Sequence, residues 1–297
     1  MVDFLVFGGR GLLGQAFIRV LKSSSKSYIA TKTNSDASCS NMIVYDVFSA
    51  IDLSRFIEEI NPKIILNCIG STNIEYCEKN RIVSKKLNYE FPVKLSSISC
   101  LLGIKFINIG TDHFSTNIFK PRKESERYYT ENFYANIKMR AEKEILINNN
   151  SALSIRTNFF SNYSRSSGSL FNWFINKFAK GESFSGFNDV IFTPISAKIL
   201  SEGIIELIKK NATGTYHLGG PEVISKYQFG QIIGDIYGYS LKIMNSRSIK
   251  DFPELTKRTN YLALDSGLFH QTTAFEMPTL YEMVEGEYRD HVRISSK

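Results

Sequence analysis

Tyr134 and Lys138 stand four residues apart in the run Tyr134-Ala135-Asn136-Ile137-Lys138. On a helix that spacing puts a phenol and an ammonium on one face, with Cβ atoms about 5–6 Å apart. A free phenol near pKa ~10 is a poor proton donor at neutral pH, and a neighbouring ammonium lowers that value by stabilising the phenolate. Such a pair can protonate an oxygen that gains charge as a carbonyl is reduced. The same spacing also reads as a surface pair, so position decides. Gly110-Thr111-Asp112-His113-Phe114 precedes it, at the end of a candidate strand. In open α/β sheets ligands bind beyond the carboxyl ends of the strands, which places the Thr111 hydroxyl to bond the same oxygen as Tyr134. Thr111 and Asp112 read otherwise as a polar strand-end turn, and His113 as a packing histidine.

A second set lies at the N-terminus, where Gly8-Gly9-Arg10-Gly11-Leu12-Leu13-Gly14 joins the first strand to the first helix. Gly8 permits a tight turn, Gly11 lets the amides of the Leu12-Leu13 turn approach a pyrophosphate, and Gly14 lets helix and sheet pack closely. The alternative is an ordinary strand-to-helix turn. The spacing and address favour a dinucleotide. The acid expected about 20 residues further on, which would hold a ribose 2′-hydroxyl and favour NAD, is missing. Tyr28-Ile29-Ala30-Thr31-Lys32-Thr33 stands there instead. Arg10 and Lys32 suit a 2′-phosphate, so NADP is preferred over NAD, unless both are solvated surface residues. Asp46 suits either the adenine amino group or a cap for the helix near Leu53.

These groups need a scaffold, and the chain alternates short β-branched or aromatic runs with helix-period segments, the pattern of parallel βαβ units. Strands are expected over 4–7, near 43–47, over 63–68, 104–109 and 153–156, with helices from Leu12, near 53–60, over 81–102 with an interruption at Pro92, and over 134–147. After Arg156 the pattern weakens into a serine-rich loop over 162–169, then helices over 197–209 and 225–237 flanking a strand over 215–218. The fold class is α/β, a doubly wound parallel sheet of Rossmann type with a smaller interlaced C-terminal lobe. The expected division is 1–157 plus about 188–215 for the dinucleotide, and about 158–187 plus 216–297 for the substrate. Residues 294–297 read as a frayed tail.

Composition narrows the function classes. The 297 residues are 43% hydrophobic and 22% charged, which excludes a disordered chain. The net charge of +7 comes from scattered Lys and Arg, fitting an anionic small molecule better than a nucleic acid. Cys39, Cys68, Cys77 and Cys100 form no CxxC pair and no histidine cluster accompanies them, so neither a metal site nor a disulfide framework is expected. A reducing cytoplasm follows as the expected location. The start, MVDFLVFGG, lacks a leader pattern, and no apolar run approaches about 18 residues, so no membrane is expected. A homodimer is left open.

At these residues the chain resembles an extended short-chain dehydrogenase/reductase, and within it the dTDP-4-dehydrorhamnose reductase-like sugar-nucleotide 4-ketoreductases. Leu66-Asn67-Cys68-Ile69-Gly70-Ser71-Thr72-Asn73-Ile74-Glu75 is similar to that group's N-C-A-A-Y-T-x-V-D, and Lys86-Leu87-Asn88 to its V-N step. Residues 110–114 resemble S-T-D-Y-V-F, 153–159 resemble L-R-T-x-W, and Phe192-Thr193-Pro194-Ile195 resembles G-x-P-T. Gly110 replaces a serine, His113 a tyrosine, Phe159 a tryptophan and Thr259 a proline. The resemblance implies a catalytic trio of Thr111, Tyr134 and Lys138, with Lys138 also on the nicotinamide ribose and hydride supplied by the cofactor. It implies Ile69, Gly70, Ser71 and Asn88 on the cofactor, and Thr72, Ile74, Asp112, His113 and Asn158 on the sugar. Arg258, in Lys257-Arg258-Thr259-Asn260, resembles the basic point of R-P-x-x-x-x-L-D and would take the substrate diphosphate, or is a surface arginine.

The implied activity is NAD(P)H-dependent reduction of a nucleotide-activated 4-keto-6-deoxyhexose for surface polysaccharide. Dehydratases of the same superfamily use Thr-Asp-Glu where this chain has Thr111-Asp112-His113, which disfavours them and leaves an epimerase or dehydratase as runner-up. The third alternative is a catalytically silent NADP-binding subunit resembling the regulatory subunit of methionine adenosyltransferase.

Overall fold

The computed structural model describes residues 1–33, 41–116, 119–162 and 169–295. Cys39, positions 163–168 of the serine-rich loop, and the last two residues of the expected tail lie outside them. In chain order the first half runs β1 (Val2–Phe7), α1 (Leu12–Ser23), β2 (Tyr28–Lys32), β3 (Met42–Val44), α2 (Leu53–Ile60), β4 (Pro62–Asn67), α3 (Ile74–Lys79) and α4 (Arg81–Lys85). A π turn at Lys86–Glu90 leads into α5 (Phe91–Leu101), β5 (Lys105–Ile109), α6 (Phe133–Asn148) and β6 (Leu153–Thr157). The second half holds β7 (Phe159–Phe160), α7 (Leu170–Lys180), β8 (Phe184–Phe187), β9 (Ile191–Phe192), β10 (Ile195–Ser196) and α8 (Ala197–Lys209). It ends with β11 (Gly214–Leu218), β12 (Ile224–Ser225), α9 (Lys226–Tyr237), β13 (Met244–Arg247), α10 (Gly267–Thr273) and α11 (Leu280–Ser295). Ile294 and Ser295 therefore continue a helix where a tail was expected.

Seven strands form one sheet in the order β11-β6-β5-β4-β1-β2-β3, the crossover order of a Rossmann-type fold. The pairings from β3 across to β6 are all parallel. Register aligns Val6, Leu66, Ile107 and Leu153 in one apolar row, and the next row toward the carboxyl ends reads Phe7, Asn67, Asn108, Ser154. Its three polar residues are Asn67 at the last position of β4, Asn108 one before the end of β5 and Ser154 early in β6. Asn67 Nδ2 donates to Asn108 Oδ1 at 3.2 Å, and Asn67 Oδ1 accepts the Ile69 amide at 3.1 Å, so that polar row also shapes the chain leaving β4.

Local sequence explains where elements stop and start. Asp52 caps α2, accepting from Ser54 N at 3.0 Å; Asn61 ends it in the left-handed region, φ 51°, and Pro62 opens β4. The expected helix over 81–102 is real but divided, because Pro92 has no amide to donate and the turn before it widens to a π turn. Leu5, Phe7, Leu53, Ile57, Ile65, Phe91, Leu95 and Phe106 pack as one buried cluster, each worth about 1.5–3 kcal/mol of burial.

Packing divides the chain into two compact units. One comprises residues 1–111, 133–156 and 211–216, and the other 112–132, 157–210 and 217–297. The sequence division placed about 188–215 with the first; packing groups 188–210, and also 112–132, with the second. The second unit contains helices and three two-stranded sheets, β10·β7, β12·β9 and β13·β8. Its core is aromatic: Phe160 stacks on Phe171 at 5.2 Å, and Phe229 meets Phe160 and Phe192 at 5.1 and 5.5 Å. Among the described residues no helix is long and apolar enough to cross a membrane.

Candidate active site

The glycine turn sits at the carboxyl end of β1. Gly8 holds φ +84°, a region that disfavours any side chain, and a Cβ at Gly14 would stand 2.2 Å from Gly8 O. No side chain bonds the first turn of α1 at its cap, Gly11, so amides at this N-terminus lack intrahelical acceptors. Leu13 is buried and offers a ligand only its backbone. Open amides and space that only glycine leaves suit a pyrophosphate. Thr31, which carried no signal in the sequence, ties this turn to β2: its Oγ1 accepts from Gly8 N at 3.1 Å and its carbonyl from Gly9 N at 2.9 Å. Arg10 is exposed, whereas Lys32 is buried, so the solvated-surface alternative fails for Lys32. Asp46 Oδ1 accepts from Phe48 N at 2.9 Å and closes a local turn. Its capping alternative is overturned, because Asp52 lies next to the helix and takes that place.

The trio implied for catalysis lies within the first unit. Tyr134 and Lys138 occupy the first two turns of α6 at 5% and 7% exposure, and Thr111, two residues beyond β5, is 2% exposed. Burial excludes a surface pair. Lys138 Nζ donates to Ile109 O, the last carbonyl of β5, at 2.5 Å. Burial pulls its pKa down to about 8, against the upward pull of the Glu142 carboxylate. The Cys68 thiol is itself pushed by burial to about 12 and stays protonated near neutrality.

Glu142 stands one helical turn beyond Lys138, buried against Arg156 of β6. Arg156 Nη2 and Nε reach Glu142 Oε1 at 2.6 and 3.0 Å, and Ser154 Oγ donates to Oε2 at 3.1 Å. The pair also explains Gly110, since a Cβ there would meet Ile155 O at 3.0 Å and Glu142 Oε2 at 3.3 Å. Sequence reading did not single out Glu142. Its signal was an acid continuing the Tyr134, Lys138 stripe at the same interval, facing a strand whose other members are small or apolar.

Ile69, Gly70, Ser71 and Thr72 follow β4. Asn88, in the π turn, holds Ser71 at both backbone atoms: Ser71 N donates to its Oδ1 at 3.0 Å, and its Nδ2 donates to Ser71 O at 2.8 Å. A π turn is a frequent companion of functional positions. Thr72 is exposed, while Ile74 is buried with Cys77 against Tyr134, so the position implied for the sugar packs on the phenol.

The remaining implied substrate residues belong to the second unit. Asn158 Nδ2 donates to Asp112 Oδ2 at 2.6 Å, and burial raises the Asp112 carboxyl to about 6 despite Asn158, Arg122 and Lys226. His113 Nε2 stands 3.9 Å from Asp112 Oδ1, too far for a hydrogen bond. Burial, with Lys226, Arg258 and Arg122, lowers His113 to about 3, so its imidazole is neutral. Arg122, unmarked in sequence, is fully buried and lies over the Phe114 ring at 4.1 Å. It donates to Asp112 O at 2.9 Å, to Ala263 O at 3.2 Å and to Phe114 O, which fixes the 112–114 backbone. Arg258 is half-buried and its Nε donates to Thr256 O at 2.9 Å. Thr193 Oγ1 accepts from Leu264 N at 3.2 Å, a structural use of the 192–195 motif.

The family described as RmlD substrate binding domain matches residues 2–291. A probable low-salt glycan biosynthesis reductase of Haloferax volcanii is 23% identical, with 93% of each chain covered. The methionine adenosyltransferase 2 subunit beta of Xenopus laevis is 20% identical over 84% of this chain and 75% of its own. The crystal structure of dTDP-4-dehydrorhamnose reductase from Bacillus anthracis, in complex with NADP, superposes with a TM-score of 0.87 at 20% identity, covering 97% of this chain and 99% of that one. At that identity the likeness is one of fold. With residues 2–291 accounted for, the chain belongs to the RmlD substrate binding domain family.

Proposed function

We propose that the protein is an NAD(P)H-dependent reductase of a nucleotide-activated 4-keto-6-deoxyhexose, with NADPH the preferred coenzyme. What carries the reading is the burial of Tyr134 and Lys138 on one face of α6, with Lys138 Nζ on Ile109 O, two residues before Thr111. The Gly8 to Gly14 turn would hold the pyrophosphate, Arg10 and Lys32 the 2′-phosphate, Asp46 the adenine, and Ile69 to Ser71 with Asn88 the nicotinamide side. The bound coenzyme supplies hydride.

Tyr134 donates its phenolic proton to the oxygen at C4 as charge develops there, and Thr111 holds that oxygen by a hydrogen bond. Below about pH 8 Lys138 carries its proton, and that charge lowers the cost of the phenolate left behind. Ile109 O limits where the ammonium can sit, and Glu142 keeps it charged. Asp112, Asn158, Thr72 and His113 would contact the sugar, and Arg258 the diphosphate. His113, held neutral, is a hydrogen-bonding group and not an acid.

The likeness to the methionine adenosyltransferase 2 subunit beta supports a second reading, a coenzyme-binding subunit without turnover. Oxidation of NADPH, with NADH in parallel, by the purified protein on a panel of 4-keto-6-deoxy nucleotide sugars separates the two. Turnover that vanishes in Tyr134→Phe supports the reductase. Coenzyme binding with no sugar reduced moves the silent subunit ahead.

A further inference from the structure

The first amides of a helix have no acceptor within it, and how they are satisfied fixes where the helix begins. In α6 the amide of Phe133, the residue before Tyr134, donates to Glu78 Oε1 at 2.6 Å. Glu78 belongs to α3, 55 positions earlier in the chain. Its second oxygen takes Arg81 Nη2 at 2.7 Å, and the Arg81 guanidinium lies over the Phe133 ring, 5.0 Å from its centroid. Carboxylate, guanidinium and ring thus close a triangle around the first residue of α6. Bonds to an ionised carboxylate are short and strong, and negative charge is favoured at a helix N-terminus. Burial alone would raise the Glu78 carboxyl, yet the Phe133 amide and Arg81 hold it below the usual range, so it is ionised near neutrality. The same short helix turns Ile74 and Cys77 onto the Tyr134 ring.

We infer that Glu78 is a positioning residue for Tyr134: by fixing the first turn of α6 from another helix, it sets where the phenol is presented. The inference rests on Tyr134 being the proton donor proposed above. Tyr134 lies in the turn that Glu78 secures, whereas Lys138 lies one turn on and is tied to Ile109 O. Losing the Phe133 bond therefore loosens the donor while its lysine stays in place. Misplacement of a reacting group by a fraction of an ångström already slows chemistry without weakening coenzyme binding.

The test compares Glu78→Ala with Glu78→Gln, whose amide oxygen can still accept from Phe133. Amide hydrogen exchange over 131–148, kcat and KM on the keto-sugar panel, and coenzyme affinity are measured for each. In Glu78→Ala, exchange in the first turn of α6 should rise about tenfold while 141–148 is unchanged. Its kcat should fall about tenfold at constant coenzyme affinity, and Glu78→Gln should recover the protection and most of the rate. Unchanged exchange over 133–137 in Glu78→Ala would overturn the inference. So would an equal loss of kcat in both variants, or a loss that merely follows a falling Tm. Should Glu78→Ala fail to fold, Glu78→Asp, one methylene short of the amide, takes its place with the same expectations.

If the wild type reduces none of the sugars, the reductase reading fails separately, and nitration of Tyr134 by tetranitromethane, read by mass spectrometry, decides this one. Faster nitration in Glu78→Ala alone supports it; equal rates in all proteins overturn it.

Discussion

Lys138 Nζ is bonded to the carbonyl of Ile109, so the ammonium of α6 is anchored to the final residue of β5 and not left to find its place. Because burial brings its pKa to about 8, the charge that assists Tyr134 is present below that pH and lost above it. The rate of keto-sugar reduction should therefore fall on the alkaline side with a midpoint near 8, read from kcat against pH. A rate that is flat from neutrality well past that midpoint removes Lys138 from the proton transfer. Lys138→Met should lower kcat by about 10²-fold or more and abolish that limb.

Glu142 is the carboxylate that favours charged Lys138, and it is the partner of a buried guanidinium. Glu142→Gln removes the carboxylate that faces the buried Arg156 guanidinium, a change that costs about 3–5 kcal/mol of stability. Thermal or urea unfolding measures that cost. In protein that remains folded, losing the negative charge favours neutral Lys138, so the alkaline limb moves to lower pH. A limb that does not move, with stability reduced, would make Glu142 a structural residue only.

Gly14→Ala places a carbon 2.2 Å from Gly8 O, far inside van der Waals contact. The turn and the start of α1 must separate, and dinucleotide affinity should drop at least about tenfold, or roughly 1.4 kcal/mol, in a titration of NADPH. The prediction fails if affinity is retained.

Arg258→Ala tests the assignment that depends most on resemblance. A contact to a diphosphate remote from C4 serves substrate and transition state alike, so KM for the nucleotide sugar should rise about tenfold while kcat holds. No change in KM would return Arg258 to a structural part, with Thr256 O as its partner.

The first unit was legible because its signals are local. A strand with an apolar run, a glycine turn and a stripe at three- and four-residue spacing all lie within about 20 residues, and the structure places β1, α1, β4, β5 and α6 where those signals fall. Tyr134 and Lys138 were readable for the same reason. Thr31, Glu78, Glu142 and Arg122 were not, because each acts on a backbone or charge brought near only by folding. The second unit hid further: β7, β9, β10 and β12 are two residues long, below any periodicity, and α7 joins a core of Phe160, Phe171 and Phe229 drawn from distant segments. Asp46 shows the opposite error, a plausible cap displaced by Asp52 at the proper distance.

The Asn88 carboxamide gives and receives one hydrogen bond at Ser71, which is what a neighbouring strand would do at that position. One side chain therefore does at Ser71, four residues past the end of β4, what the flanking strands do within the sheet. Residues 69–72 are consequently set before any ligand arrives, and the entropy of ordering them is already paid in folding and not deducted from affinity.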